Sequence, residues 1–372
     1  MQVVTPYQLN EYTSQLTDIY AQLEQDVFLK MAEILKTDPS VDRTRAIEWQ
    51  VEKLQELRLL NQETVNALAQ ASGLAREEII SLIRAAGIDT IYTIDEQVRI
   101  LGLETLNEPS NLDSLLQAYI QQTFTDLDNF VNLRLIDSQQ FGDGAVTTVY
   151  KRIIEETVAQ AIAGNKTINQ VVTDTIIRWR ERGLPSGFTD RSGRVWDVQN
   201  YVDLAVRTTV NNTYNELTER RIDEYGYHLV RVDYYPGARP ACQGIQGTVA
   251  SLRRTNTEGY HSVYDFKYKE PDGFRGINCR HRMTLFVDGV STNNNHPPDA
   301  TEANEYYKKQ QKQRALEREV RKAKRNLQIA EATGDERQIA HQKALVRARQ
   351  QRVKNYVEEN DLPRRYDKER VI

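Results

Sequence analysis

Cys242 and Cys279 are the two cysteines of this 372-residue chain, and both lie in short segments dense in glycine. One segment is Pro236-Gly-Ala-Arg-Pro-Ala-Cys-Gln-Gly-Ile-Gln-Gly247; the other is Gly273-Phe-Arg-Gly-Ile-Asn-Cys-Arg-His-Arg282. Glycines so placed imply positive φ or close backbone approach. Cys242, Cys279, His281 and the more distant His261 are residue types that ligate zinc, and in an extended stretch Cys279 and His281 project from one face. A structural zinc is therefore one reading of this region, and no cofactor is the other. The spacing is not that of a zinc finger, which pairs ligands about two to four residues apart at each knuckle. In the competing reading Cys242 packs as a small buried hydrophobe, and Asn278, Arg280 and His281 hydrogen-bond the glycine loops. A Cys242–His281 nucleophile pair would need an orienting group and an oxyanion hole, which no pattern here marks. No H-E-x-x-H, P-loop, G-x-S-x-G or G-x-G-x-x-G occurs, so no residue is assigned to catalysis.

Several elements must position these loops. His228-Leu-Val-Arg-Val-Asp-Tyr-Tyr235 is the best strand, rich in β-branched and aromatic residues, with weaker strands over Thr248–Leu252 and Met283–Asp288. A helix is expected over Thr167–Arg182, ended by Gly183-Leu-Pro185. A turn at Ser192-Gly193 follows, then a long helix from Val198 to about Glu224, stopped by Gly226. Its inward stripe reads Tyr201, Leu204, Thr208, Asn211 or Tyr214, Leu217 and Ile222. Arg207 lies near that stripe, where a buried guanidinium needs a carboxylate or carbonyls, so it is expected to be a structural clamp. Residues 166–295 thus read as a small α+β domain.

Residues 1–165 read as a helical domain. Apolar positions from Leu9 to Ile34 recur every three or four residues over Gln8–Leu35, and Tyr20, Phe28 and Leu35 widen the stripe as a packed bundle requires. A second helix is expected over about Arg43–Leu60, with Ala46, Trp49, Val51, Leu54, Leu57 and Leu60 inward. Around Ala69 and Gly73 the sequence mimics a helix-turn-helix that would put residues 75–86 in a DNA groove. Glu77 and Glu78 stand where phosphates would approach, so two short helices meeting at a glycine turn is preferred. Leu112–Arg134 and Val146–Ala163 read as further helices, separated by Gly142-Asp-Gly144.

Residues 296–372 read as a basic helical tail behind the linker Asn293-Asn-Asn-His-Pro-Pro298. Helix is expected from Tyr306, with apolar seams at Leu316, Val320, Ala323, Leu327 and Ala330, then Ile339, Val346 and Val353. Thr333-Gly-Asp335 reverses the chain, giving a helical hairpin or two-part coiled coil. Between Lys308 and Lys354 stand fifteen Lys/Arg against five Asp/Glu. Lys308, Lys309, Lys312, Arg314, Arg318, Arg321, Lys322, Lys324, Arg325, Arg347, Arg349, Arg352 and Lys354 show a marked shortage of i,i+4 acidic partners. That suits phosphates of DNA, or an acidic protein surface, although most charge runs are ordinary solvated faces.

The fold class is mainly α with a small central α+β domain. The net charge of −4 is too small to argue for whole-chain nucleic-acid or membrane binding. No apolar run is long enough to cross a membrane, and no signal peptide opens the sequence, so a soluble protein with reduced cysteines is expected.

The run Gly237-Ala-Arg-Pro240, Cys242, Gln246-Gly247 and Gly276-Ile-Asn-Cys-Arg-His281 resembles the minor capsid proteins of tailed bacteriophages (the minor capsid protein 2 family, distantly similar to MuF-like head-morphogenesis proteins). The resemblance extends upstream through Arg191-Ser-Gly-Arg194-Val-Trp196 and Tyr201…Ala205-Val-Arg-Thr208. Downstream it takes in Tyr306-Tyr307, Gln310 and Gln313–Arg318, so it covers roughly the C-terminal half. It departs at Cys242, where the family often has histidine. It implies a structural head protein made in the host cytoplasm and placed inside the virion head. Its expected partners are the portal, the major capsid or scaffold protein, further copies of itself and packaged double-stranded DNA. By resemblance the N-terminal half docks, and Arg194, Arg207, Gly237, Arg239, Gly247, Gly276, Asn278 and Arg280 form the structural motif. A thiol or metal-dependent hydrolase packaged in the head is the alternative.

Overall fold

The computed structural model describes residues 6–371 except 39–42, 108, 110, 137–143, 164, 165, 256, 258, 277, 278 and 280. Asn278, Arg280 and the Gly142-Asp143 part of the expected helix break lie outside the described residues.

Helices dominate. In chain order they are α1 (Pro6–Leu35), α2 (Ala46–Gln55), α3 (Leu57–Ile100), α4 (Leu112–Leu127), a π turn (Asp128–Asn132) with the short α5 (Leu133–Leu135), α6 (Ala145–Ala163) and α7 (Ile168–Arg182). The hairpin strands β1 (Pro185–Thr189) and β2 (Val195–Asp197) precede α8 (Val198–Glu224). Then come β3 (Leu229–Val232), the single-turn α9 (Pro240–Gln243), β4 (Val249–Ser251), β5 (His261–Ser262), β6 (Met283–Leu285), α10 (Ala300–Thr333) and α11 (Glu336–Glu359). Two compact units, both discontinuous in sequence, account for these elements: residues 1–16, 77–124 and 203–311, and residues 17–76, 125–202 and 312–372. Each unit draws on all three sequence ranges expected above.

The first unit contains a four-stranded sheet of order β5-β4-β3-β6. β3 pairs antiparallel with β4 on one side and with β6 on the other, and β5 runs parallel to β4. One core joins Ile94 and Val98 of α3, Ile222 of α8, Val230, Val232, Ala250, Met283 and Leu285 of the sheet, and Val263 and Phe274 of the loops. Arg221, 1% exposed at its side chain, is more deeply buried than the unit's other buried arginines, Arg275 and Arg282. It forms two hydrogen bonds to Asp95, of 2.7 and 2.8 Å, and one to Glu224. Arg207 is half-buried and pairs with Asp203 on its own helix at 2.7 Å. The buried side of α8 also carries Val202, Val206 and Val210, three valines that the expected stripe omits.

The second unit is a helical body. α7 begins in a capping box, Thr167 accepting from Gln170 N while Gln170 accepts from Thr167 N, and ends at Gly183 with φ 78°. Asp190 closes the β1–β2 turn, accepting from Ser192 N at 2.9 Å and Arg194 N at 3.1 Å, and from the Trp196 indole at 3.1 Å. Over residues 312–359, α10 and α11 form an antiparallel hairpin: Arg349 donates to Glu319 O at 2.8 Å, Lys343 meets Glu331 at 3.8 Å, and Lys312 stands over the Tyr356 ring. Asp335 caps α11 through Gln338 N.

Two expectations about the N-terminal helices are corrected. Gly73 breaks nothing: α3 is one continuous helix through it, which removes both the helix-turn-helix and the paired short helices. The buried positions Leu60, Thr64, Leu68, Ala71, Ala75, Ile79, Leu82, Ala86, Ile91, Ile94 and Val98 keep one phase along α3, so a single apolar stripe outweighs the helix-breaking tendency of one glycine. Val51 and Leu54, expected inward, are exposed, because α2 ends at Gln55 and only Ala46, Trp49 and Lys53 of it are buried. In the C-terminal region helix starts at Ala300, before the expected Tyr306.

Candidate functional site

Strand direction brings the two glycine loops together. Cys242 lies just beyond the C-terminal end of β3; Cys279 and His281 lie just before the start of β6. Because Val232 of β3 faces Met283 of antiparallel β6, both segments leave the sheet at the same end. Cys242 sits on the turn α9, started by Pro240 at its first position. Cys279 and His281 sit in the irregular stretch ahead of β6, two residues apart.

The result is a buried trio. Cys242 is 0% exposed, and Cys279 and His281 are each 4% exposed. The sulfurs are 3.6 Å apart, and Cys279 Sγ is 3.7 Å from His281 Nδ1. All three ligand atoms lie within 4.8 Å of one another. His261 does not join them: its side chain is 78% exposed and it faces Asp265 at 3.7 Å. It occupies β5, an element the sequence did not signal, since two residues carry no period.

Neighbours fix the trio from several elements. His281 Nε2 lies 3.3 Å from Gln246 Oε1. Arg239 donates through Nε to Cys242 Sγ at 3.3 Å and through Nη2 to Gly273 O, so one guanidinium joins the two loops. Asn211 of α8 donates to Cys279 O at 2.8 Å. Cys242 donates its proton to Cys279, which, with His281 and Arg275 adding their pull, holds the Cys279 thiol well below its ordinary range. The same hydrogen bond, with burial, pushes Cys242 up. Both cysteines also belong to the apolar core with Phe274 and Ile245, so the packing reading describes part of their role.

The glycines have steric reasons to be there. A Cβ on Gly273 would stand 1.9 Å from Lys267 O, and one on Gly276 would stand 1.8 Å from Glu270 O. Gly247, at φ 74°, turns the chain against Pro297. Gly237 is buried beside Gln310. Arg275 adopts φ 67°, and Lys267 and Lys269 are also left-handed, a local cost that the surrounding contacts must hold. A cavity of about 140 Å³ reaches Cys279, lined also by Asn211, Arg207, Lys269, Arg275 and Gly276. Arg194, grouped with this motif in the sequence, stands instead in the β1–β2 turn with Asp190.

The basic residues of the C-terminal region are more engaged than their shortage of i,i+4 acids suggests, because most partners come from other elements. Lys322 pairs with Glu181 and Arg349 with Glu319, while Lys354 meets Glu358 one turn along its own helix. Arg321 and Lys324 donate to the backbone oxygens of Lys368 and Glu369, and buried Arg325 donates to Gln199. Lys309 and Arg314 also interact within the chain. Lys308, Arg318, Arg347 and Arg352 are exposed, with no ion-pair or hydrogen-bond partner among the described residues.

Comparison with known proteins gives this arrangement a context. A family profile described as phage minor capsid protein 2 matches residues 4–358. A protein named "Structural protein" from Lactococcus phage LL-H is 30% identical over 364 residues, spanning 95% of this chain and 98% of its own length. Another of the same name, from Lactococcus phage mv4, is 38% identical over 113 residues, 30% of this chain and 92% of its own. No solved structure matches.

Proposed function

We propose that this chain, which belongs to the phage minor capsid protein 2 family, is built into the phage head by docking on the portal or the inner shell, and performs no reaction of its own. It would be made in the host cytoplasm, join portal, shell or scaffold during assembly, self-associate on that surface, and finish inside the head. The observation that carries the docking reading is an uncovered apolar stripe. Ile47 (57% exposed), Val51 (54%) and Leu54 (38%) recur at i, i+4 and i+7 along one face of α2. Leu59, Val65 and Leu74 of α3 in the same unit are exposed as well. Single exposed apolar side chains are ordinary, but a helix-spaced row of them marks a surface that a partner completes. Among the described residues no helix is long and apolar enough to cross a membrane.

Contact with packaged DNA is the second part of the proposal. Lys308, Arg318, Arg347 and Arg352 are the cations available for phosphates, without base readout. The thiol form of the hydrolase alternative is disfavoured by burial: a nucleophile at Cys242 would be wholly enclosed by its own core.

Coexpression with the portal protein tests docking. Copurification of the wild-type pair, lost in Ile47→Glu/Val51→Glu with helicity intact, is the expected result. Absence of this polypeptide from purified particles would end the reading. For DNA, retardation of duplex by the full chain should fall with added salt and weaken in Arg318→Glu/Arg347→Glu/Arg352→Glu. Unchanged retardation in that variant removes those cations from the interface.

A further inference from the structure

We propose that Cys242, Cys279 and His281 bind one zinc-class divalent cation, which cross-links the two glycine loops of the first unit. The inference stands apart from the docking reading, since it concerns how this unit holds itself together. Zinc–sulfur bonds of about 2.3 Å and zinc–nitrogen bonds of about 2.0–2.1 Å in a tetrahedron place ligand sulfurs about 3.8 Å apart and sulfur and nitrogen about 3.5 Å apart. The corresponding separations here are 3.6 Å between the sulfurs and 3.7 Å from Cys279 Sγ to His281 Nδ1. Two thiols packed in an apolar core would also sit near 3.6 Å. Core packing does not, however, require a buried imidazole to turn a ring nitrogen onto one of them.

The neighbours match what a metal centre needs beyond its ligands. A ligating histidine typically has its other ring nitrogen held by an acceptor, and His281 Nε2 faces Gln246 Oε1 at 3.3 Å. With Nε2 on Gln246, the ring nitrogen turned toward Cys279 is Nδ1. Arg239 gives Cys242 Sγ an N–H donor, as a metal-bound thiolate accepts. Thiolate and imidazole together select zinc-class ions over magnesium or calcium, which take oxygen ligands. The trio leaves one tetrahedral position for solvent, and the cavity reaching Cys279 has ample volume for a water, which needs roughly 10–15 Å³. An ion so held would join the loops: five glycines in the two segments make them costly to order, and binding only the folded arrangement offsets that cost.

The test uses the full-length chain, purified reduced, stripped with a chelator and titrated with Co(II), then with Zn(II). A single cobalt per chain is expected, giving tetrahedral d–d bands and a thiolate-to-cobalt charge-transfer band that zinc abolishes. Cys242→Ser, Cys279→Ser and His281→Asn should lose those bands, whereas His261→Asn should keep them. Gln246→Ala should weaken zinc binding by about 10- to 100-fold, and Gln246→Glu should restore it. Where a serine variant does not fold, the wild-type spectrum and the Gln246 pair decide. A folded, reduced wild-type chain that binds neither metal overturns the proposal. So does a Cys242–Cys279 disulfide in metal-free protein recovered from particles.

Discussion

In the unit that holds Cys242, the buried polar groups around the site are soft and mostly close in sequence: two thiols, an imidazole, a glutamine and backbone carbonyls exposed by glycine. In the unit that holds the C-terminal hairpin they are charged and brought from far apart. Glu24 of α1 accepts from Leu184 N at 2.6 Å, with Arg180 of α7 and Arg325 of α10 acting on it electrostatically. Glu317 binds Arg365 at 2.7 and 3.0 Å, and Glu369 binds Arg364 at 2.8 and 3.0 Å. The two loops thus depend on backbone approach and side-chain softness, with an Arg221–Asp95 pair elsewhere in their unit, whereas the hairpin's unit relies on charge compensation among helices. A change that ruins one should leave the other's chemistry intact. The chain supplies separate probes for this: both cysteines lie in the first unit, and all three tryptophans, Trp49, Trp179 and Trp196, lie in the second.

The largest effect is expected at the loop glycines. Gly273→Ala and Gly276→Ala push a methyl into backbone carbonyls that cannot step aside, at or beyond the roughly 3 kcal/mol upper end of overpacking costs. Reaction of Cys242 and Cys279 with a thiol reagent should move to much lower denaturant, while the tryptophan transition stays near its wild-type midpoint. A tryptophan transition that shifts equally breaks the comparison, because the two units would then melt as one.

Arg221→Ala ranks next. It leaves Asp95 facing an emptied site, and removing one partner of a buried pair costs about 3–5 kcal/mol; the lower end applies because Asp95 is 20% exposed. Arg221→Lys should recover only part of this loss, since an ammonium cannot reproduce the two-pronged contact with Asp95. Thiol protection again reports the outcome, and an unmoved thiol profile would show that α3 and α8 do not brace the loops.

Glu24 sharpens the comparison from the other side. Burial pushes its carboxyl up to about 7 from an ordinary 4.5, against the pull of Leu184 N and Arg180, with Arg325 pulling down and Asp197 pushing up more weakly. The folded protein therefore holds this proton through a range where the unfolded chain has released it. Stability is greatest below pH 4.5 for this group and falls as pH rises to about 7, by on the order of 3 kcal/mol. Glu24→Gln keeps an acceptor for Leu184 N and should flatten that slope. Tryptophan-monitored denaturation at pH 5 and pH 8 measures it. An equal slope in the variant assigns the pH dependence elsewhere.

These contrasts also separate what the sequence announces from what it conceals. Cys242 and Cys279 are the chain's two cysteines and stand among clustered glycines, so the two loops were legible, and the structure brings Cys242, Cys279 and His281 together. His261 was not separable from His281 by type alone, and strand direction excluded it. The end of α7 at Gly183, the stop after α8 at Gly226 and the reversal at Gly334 were legible because each glycine adopts positive φ. Glu24, Arg180 and Arg325 were invisible: they are residue types that usually face solvent, and only tertiary packing of three helices buries them. The basic tail misled for the same reason, since most of its partners, among them Glu181, Gln199 and the backbone at Lys368 and Glu369, are nowhere near i,i+4.

Gly73 offers the smallest effect and a clean one. It is the residue that suggested a turn, yet it has negative φ within α3, and a Cβ there would meet nothing within 4 Å. Glycine inside a helix costs roughly 0.5–1 kcal/mol relative to alanine through the freedom it keeps when unfolded. Gly73→Ala should therefore raise stability by about that amount in the tryptophan transition, with helicity unchanged. Had two short helices met here, the glycine would have capped the first with left-handed backbone, and alanine would have destabilised it instead. The same substitution is thus stabilising at Gly73 and ruinous at Gly273. Glycine is tolerated at the first because a long apolar stripe carries the helix past it, and required at the second because backbone oxygens leave no room for a side chain.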